Sequence, residues 1–396
     1  MKIKERKINK KYVDPKLITD DSVNGAETVN TVVIGAGQAG LTIGYYLTNY
    51  GIPFVILDAN ERIGDSWRKR WDSLRLFTPA ILNGLAGMPF PAPSYYFPTR
   101  DEMADYLESY AARFGLPVRN GVKVDLLTKE GDNYIVGAGN QKFKAKNVVV
   151  AMSNHQHPRI PPFAKELDQE IMQLHSSEYR NPSQLKEGDV LVVGAGNSGA
   201  EISLELASRH KTLLSGKDTG HVPFRIEGFA ARLFLLRLVL RLGFHRIMTI
   251  KTKIGRKMRL KLLSHGGPLV RTKPYDLINA GIERIPRVVG VRDGMPLLED
   301  QRLLKVSNII WCTGFRAGFS WINLPIFGET MESPIHNRGI TNEPELYFVG
   351  LLFLYSASSS MVHGVARDAE YIVKKILVRT KHINSTDKIE NPVELQ

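Results

Sequence analysis

DVLVVGAGNSGAE, residues 189–201, decides the fold. It reads as a buried apolar strand, a glycine turn and the start of a helix. That arrangement sets a pyrophosphate against a helix N-terminus. The same device stands earlier, at NTVVIGAGQAGLTIGYYL, residues 30–47, and Gly194 follows Gly35 by 159 residues. Two such units in a chain of 396 residues predict an α/β protein with two Rossmann-like dinucleotide-binding domains.

In the first turn Gly35, Gly37 and Gly40 fit G-x-G-x-x-G, with Gln38 and Ala39 between the last two. The first glycine permits the tight turn, the second lets the backbone approach pyrophosphate, and the third lets helix and strand pack closely. Asp58 lies eighteen residues after Gly40, at the end of the next apolar strand, PFVILDAN. A carboxylate there accepts hydrogen bonds from ribose hydroxyls; its bland alternative is a cap or turn residue. Strand, turn, helix and acidic strand end together outweigh an ordinary strand-helix turn. The second turn repeats the pattern with Gly194, Gly196 and Gly199, and Asn197 and Ser198 between them. Its next strand, TLLSGK, offers Ser215 and Lys217 where the first offers Asp58. A carboxylate there would repel a 2′-phosphate, whereas a hydroxyl and an ammonium favour one, so the second site is expected to prefer NADP(H). Lys217 as a solvated turn lysine is the plainer alternative.

Composition narrows the class. Hydrophobic content of 43% and charged content of 23% fit a globular protein. The one cysteine, Cys312, excludes an internal disulfide framework and a C-x-x-C dithiol centre. The basic start MKIKERKINKK is followed by no apolar stretch, so no secretory signal is expected. No run approaches the ~18 apolar residues of a membrane span, and a cytoplasmic protein is expected. The net charge of +13 is concentrated: residues 228–275 contain no Asp or Glu and twelve Lys or Arg.

Other stretches fill in the order. Residues 1–28 read as a polar leader. YYFPTRDEMADYLESYAARFG contains an amphipathic helix with Thr99 and Asp101 as cap candidates. FAARLFLLRLVLRL, 229–242, reads as an apolar helix studded with arginines, and a turn is expected at Asp293-Gly294. ELYFVG is a last strand, SMVHGVARDAEYIVKKIL a last helix, and 382–396 a polar tail.

The chain resembles the class B flavin-dependent monooxygenases, the group of flavin-containing and plant indole-pyruvate monooxygenases. It is most similar to a bacterial branch labelled as flavoproteins of cation transport. GDSWRKRWDSLRLFTP (64–79) resembles the flavin-side loop, IIWCTGFR the A-T-G-[FY] strand end, and LYFVG and GVARDAEYI the closing strand and helix. In LHSSEYRNP, His175 and Tyr179 match the end of F-x-G-x-x-x-H-x-x-x-[YF], while Gln169 and Ile171 replace its Phe and Gly. The run LRLFTPA lacks the asparagine found beside the flavin in better-known members, and Ala151-Met152-Ser153 stands where A-T-G is common.

The resemblance implies FAD at the first turn and NADPH at the second. It implies a nested order: a flavin domain of 29–185 plus 309–381, and an NADPH domain of 186–308 inserted into it, carrying 228–275. By resemblance, Trp67, Arg68, Leu76, Thr78, Thr313, Gly314 and Gly350 join the cofactor-binding set. The implied chemistry is flavin reduction by NADPH, a C4a-peroxyflavin formed with O2, and oxygenation of a small organic substrate. No certain catalytic side chain and no metal are implied; His155, His157 and His363 are read as structural or surface groups. Two other functions stay open: an NAD(P)H oxidase or quinone reductase without oxygen insertion, and a flavin redox sensor linked to cation transport. A thiol-disulfide reductase is rejected because Cys312 stands alone. For 228–275 three readings stand: a peripheral membrane contact, a substrate lid lined by Phe229, Phe234 and Leu236, or a packing helix with a solvated basic face. Nucleic acid is not expected, since no nucleic-acid module accompanies the charge. A pocket built partly from LLFLYSASSS, with small polar groups beside Phe353 and Tyr355, is expected to receive the substrate.

Overall fold

The computed structural model describes residues 25–228, 238–329 and 333–390. Two sheets organise it. The parallel centre of the first runs in the order Leu346–Phe348, Gln141–Val150, Glu27–Ile34, Phe54–Leu57, Val118–Arg119. A hairpin, Leu126–Glu130 with Asn133–Ala138, is laid antiparallel on Gln141–Val150, and two short strands, Ile340–Thr341 and His336–Asn337, extend the other edge. Helices cover the parallel centre, so its strands are apolar on both faces: Val32, Val33, Ile56, Val148 and Val149 are fully buried. Each such side chain contributes ~1.5–3 kcal/mol relative to exposure. Helix Gln38–Tyr50 packs against the closing helix Val362–Glu390.

The second sheet is wholly parallel, in the order Glu283–Ile285, Thr212–Ser215, Val190–Val193, Asn308–Trp311, Met172–His175. This corrects the expected domain limits. Met172–His175 and residues 309–311, assigned from sequence to the flavin domain, pair inside the second sheet, because Asn308–Trp311 is the register partner of both Val190–Val193 and Met172–His175. The chain crosses between the units at His157–Pro158 and Phe315–Arg316, which run antiparallel to each other. The strands of the second sheet all lie between Met172 and Trp311, and those of the first sheet lie before and after them in the chain.

Local chemistry explains the smaller elements. Thr99, not Asp101, caps helix Arg100–Phe114, in a capping box with Glu102. Asp293 and Gly294, both at positive φ, turn the hairpin Val288–Arg292 to Met295–Leu298. The helix expected over 229–242 lies outside the described residues at 229–237, as do the proposed lid residues Phe229, Phe234 and Leu236. Leu238–Ile247 forms a π-helix. The closing helix runs on to Glu390, through part of the expected tail; the leader lies almost wholly outside the described residues.

Candidate cofactor and active site

The two glycine turns have one geometry. Gly35 and Gly194 sit at φ of +105° and +113°, a region that favours glycine. A Cβ on Gly40 would lie 1.8 Å from the Gly35 carbonyl oxygen, and one on Gly199 1.8 Å from that of Gly194. The third glycine of each turn is therefore required by helix-strand packing. The second is different: a Cβ on Gly37 or on Gly196 would meet nothing within 4 Å. The protein itself leaves that space open at the N-cap of each helix, where backbone N–H groups and the helix dipole favour an anion. Both turns thus fit a bound pyrophosphate. Gln38, Ala39, Asn197 and Ser198 occupy the first turns of the two helices.

Each turn is backed by a crossing strand. Ala151 N–H donates to Ile34 O behind the first turn, and Cys312 N–H donates to Val193 O behind the second. A Cβ on Gly35 would approach Ala151 O at 3.1 Å; one on Gly194 would approach Cys312 O at 2.2 Å. Cys312 thus packs where Ala151 packs, and burial pushes its thiol up to about 12, which leaves no thiolate at neutral pH.

The strand ends differ. Asp58 Oδ2 accepts from Ala36 N–H at 2.5 Å, and Oδ1 accepts from Asn60 N and Nδ2 at 2.8 and 2.9 Å. Its carboxylate buttresses the first turn. Ser215 corrects the sequence expectation. It is fully buried, donating to Pro286 O at 2.9 Å and accepting from Val288 N–H at 3.1 Å, so its hydroxyl is not offered to a 2′-phosphate. Lys217 is exposed. Arg284, not singled out from sequence, donates to Gly216 O at 2.9 Å and adds a second cation there; only strand pairing with Thr212–Ser215 brings it near.

The remaining residues form a collar around the turns. A Cβ on Gly350, itself at φ +76°, would lie 2.8 Å from Ala39 Cβ, so the closing strand ends against the first turn. Gln38 Nε2 donates to Ser360 O at 3.3 Å, which places 351–361 beside the same helix N-terminus. That loop is braced from behind: Ser359 Oγ donates to buried Asp368 at 2.7 Å, and Arg367 donates to Ser356 Oγ at 2.8 Å. Arg338 and Arg367 both lie over the Tyr355 ring, at 4.3 and 4.7 Å from its centroid. Ser356, Ser358, Ser359 and Phe353 are fully buried. The serines therefore hold the loop's shape, against the expectation that they line a pocket. Phe353 and Ser153 carry positive φ, strain concentrated beside the first turn.

The flavin-side loop is equally committed. Arg68 donates to Ile63 O at 2.7 Å and pairs with Asp65, Asp105 and Glu108. Trp67 and Leu76 pack in the large core. Thr78 Oγ1 donates to Asn83 Oδ1 at 2.5 Å, and Asn83 Nδ2 returns a bond to Thr78 O at 2.7 Å. Asn83 is fully buried and was passed over because it lies just beyond LRLFTPA.

His175 and Tyr179 tie the crossing to the second turn. His175 Nε2 lies 3.0 Å from Gly314 O, and Tyr179 Oη donates to Glu205 of helix Asn197–Leu206 at 2.8 Å. Burial lowers the His175 pKa, so it is neutral at pH 7 and one ring N–H is free to donate to that carbonyl. Thr313 Oγ1 donates to Arg159 O, and Phe315 packs edge-on to His175 at 4.9 Å with Arg70 over its ring. Asn197 spans two backbone groups, Pro268 O and Val270 N–H, at 3.0 and 2.8 Å. A cleft of about 560 Å3 opens between Trp71 and the second helix, with Glu201, Glu205, Glu227 and Arg271 on its walls. It flanks that helix without touching either glycine turn. Burial pushes the Glu201 carboxyl up to about 7.

This chain is similar to an uncharacterized CzcO-like oxidoreductase of Geobacillus kaustophilus (strain HTA426). The two are 41% identical over 351 residues, which cover 88% of this chain and 98% of that protein. The chain belongs to the CzcO-like oxidoreductases. The pyridine nucleotide-disulphide oxidoreductase family pattern matches residues 32–218, which hold both glycine turns. The CzcO-like chain is also 28% identical to indole-3-pyruvate monooxygenase YUCCA4 of Oryza sativa subsp. japonica, over 94% of this chain and 92% of that one. In structure it is similar to the flavin-containing monooxygenase of Stenotrophomonas maltophilia, with a TM-score of 0.70 and 26% identity over 89% of this chain and 99% of that one. The fold is that of the flavin monooxygenases, and the protein is an oxidoreductase of the FAD- and NAD(P)H-dependent kind.

Proposed function

We propose that this CzcO-like protein is an NADPH-dependent FAD monooxygenase acting on a small organic substrate. The observation that carries the reading is the pair of open N-caps: Gly37 and Gly196 alone among the turn glycines face empty space. FAD at the first turn would accept hydride from NADPH at the second and, once reduced, supply the electrons that activate O2.

The chain's own residues bind, orient and exclude water. Gly37, Gln38, Ala39 and Gly40 would present N–H groups to the FAD pyrophosphate, and Gly196, Asn197, Ser198 and Gly199 would do so for NADPH; Gly35 and Gly194 shape the turns, their own N–H groups donating to Leu57 O and Ser215 O. Asp58 fixes the first turn by holding Ala36 N–H, with the ribose of FAD as its further partner. Lys217 and Arg284 are the cations for a 2′-phosphate. The braced loop 351–361, joined to the first turn's helix through Gln38 and Ser360, would close the first turn's surroundings against water, and Thr78 would contribute from the flavin-side loop. Thr313, Gly314 and Gly350 set the crossing and closing strands against the two turns. O2 and the substrate are the remaining partners.

Rapid mixing tests this. The flavin-loaded protein is reduced anaerobically with NADPH and mixed with O2. Oxygenation requires a lag between O2 consumption and return of the oxidised flavin spectrum, with H2O2 released only as that spectrum returns, since no substrate is present to take the oxygen. Immediate reoxidation with one H2O2 per flavin would support the oxidase or quinone reductase reading instead. A protein that takes up no flavin would remove both.

A further inference from the structure

We infer that residues 238–265 form a docking surface for an anionic phospholipid bilayer, a property separate from the proposed chemistry. Helix Lys253–His265 is the centre of it. Successive residues advance ~100° around a helix, which fixes its two sides. Gly255 is buried on the inner side, where a Cβ would lie 1.9 Å from Thr249 O. The outer side mixes aliphatic and cationic residues: Leu263, Arg256, Leu260, Lys253, Lys257, Lys261 and Ile254 in angular order. Ile254, Leu260 and Leu263 are 60%, 72% and 53% exposed. Leu238, Leu242 and Ile247 of the preceding π-helix are exposed as well.

Isolated exposed leucines carry no message, but six large aliphatics in 26 residues do. Their charge environment selects the partner. Residues 228–275 hold twelve Lys or Arg and no acid. Among the described residues, none of Arg246, Lys251, Lys253 and Lys257 is in an ion pair, and all four are exposed. A bilayer interface takes both: headgroup phosphates meet the cations, and the aliphatics enter the acyl boundary. Among the described residues no helix is long and apolar enough to cross a membrane, so the contact lies on the surface.

The surface is fastened to the candidate site. Ile250 N–H donates to Tyr355 O at 2.9 Å and Ala357 N–H to Met248 O at 3.0 Å. The loop so joined is the one that meets Gln38. Docking would therefore set the first turn's collar next to the bilayer, where apolar substrates concentrate.

The test is co-sedimentation of the full flavin-loaded chain with vesicles. Binding is expected to vesicles containing about a third phosphatidylglycerol, to be absent with phosphatidylcholine alone, and to weaken as salt rises. The triple change Lys251→Gln, Lys253→Gln, Lys257→Gln should cut binding by about tenfold or more. The matching Lys→Arg triple should restore it. Ile254→Ser with Leu263→Ser should remove the fraction that persists at high salt. NADPH oxidation without vesicles should be the same in all of them, which separates this result from the fate of the monooxygenase reading. No binding to anionic vesicles at low salt would overturn the inference. So would wild-type binding by the Lys→Gln triple, or a DNA duplex bound through the same lysines while vesicles are not.

Discussion

The first and second glycine turns share a backbone and differ in what surrounds it. Both have a first glycine at strongly positive φ, a third glycine 1.8 Å too close for a side chain, and an open second glycine. Around them the chemistry diverges. The first strand ends in a carboxylate that holds the turn; the second ends in an inward serine, leaving Lys217 and Arg284 outside. Two residues past the third glycine, the first helix carries buried Thr42, which donates to Gln38 O at 2.6 Å. The second carries Glu201, half-buried with no hydrogen bond among those described and a raised pKa. Duplicated geometry thus gives the two turns one shape, and under the proposed function the flanking side chains would set which dinucleotide each takes.

The largest effect should come from breaking the shared geometry. Gly40→Ala or Gly199→Ala forces a Cβ into a carbonyl oxygen and should cost about 4 kcal/mol or more, read by denaturant unfolding. Gly37→Ala and Gly196→Ala should leave stability unchanged. The first should abolish flavin uptake, the second NADPH-driven reduction with flavin still bound. Equal loss of both cofactors in both variants would refute separate sites.

Glu201→Gln sharpens the contrast between the helices. A carboxyl raised from its ordinary 4.5 to about 7 favours folding fully below pH 4.5 and loses that contribution as pH rises through 7. The variant should match the wild type at pH 4.5 and exceed it by up to about 3 kcal/mol above pH 8, from a 2.5-unit difference. A gap that is the same at both pH values would show that Glu201 acts through packing.

Asp58→Ala removes three accepted hydrogen bonds at the first strand end and should cost ~2 kcal/mol, with weaker flavin retention. Ser215→Ala, its positional counterpart, should affect stability but not the NADPH to NADH preference. The smallest effects belong to the outer cations. Lys217→Ala and Arg284→Ala should each raise the KM for NADPH about tenfold, or ~1.4 kcal/mol, and leave that for NADH unchanged. A parallel rise for both nucleotides would remove the 2′-phosphate assignment.

Much of this was legible in the sequence because it is local. The positive φ, the missing Cβ and the apolar run before each turn are set within a few residues, so the turns and their strands could be placed by reading along the chain. Helix Arg100–Phe114 was legible for the same reason, although its cap fell to Thr99, whose hydroxyl reaches Glu102 N–H. What required the tertiary structure depends on pairing across distance. Asn308–Trp311 has the same apolar character whichever sheet takes it, and only its register with Val190–Val193 decides. Arg284 lies 67 residues beyond Lys217 in sequence, and parallel pairing of its strand puts it at the same corner. Ser215 and the 356–359 serines looked like ligand groups because a hydroxyl's identity does not show its direction. Burial decided that direction: a hydroxyl cut off from water must find a protein partner, and these found theirs in Pro286, Val288, Asp368 and one another.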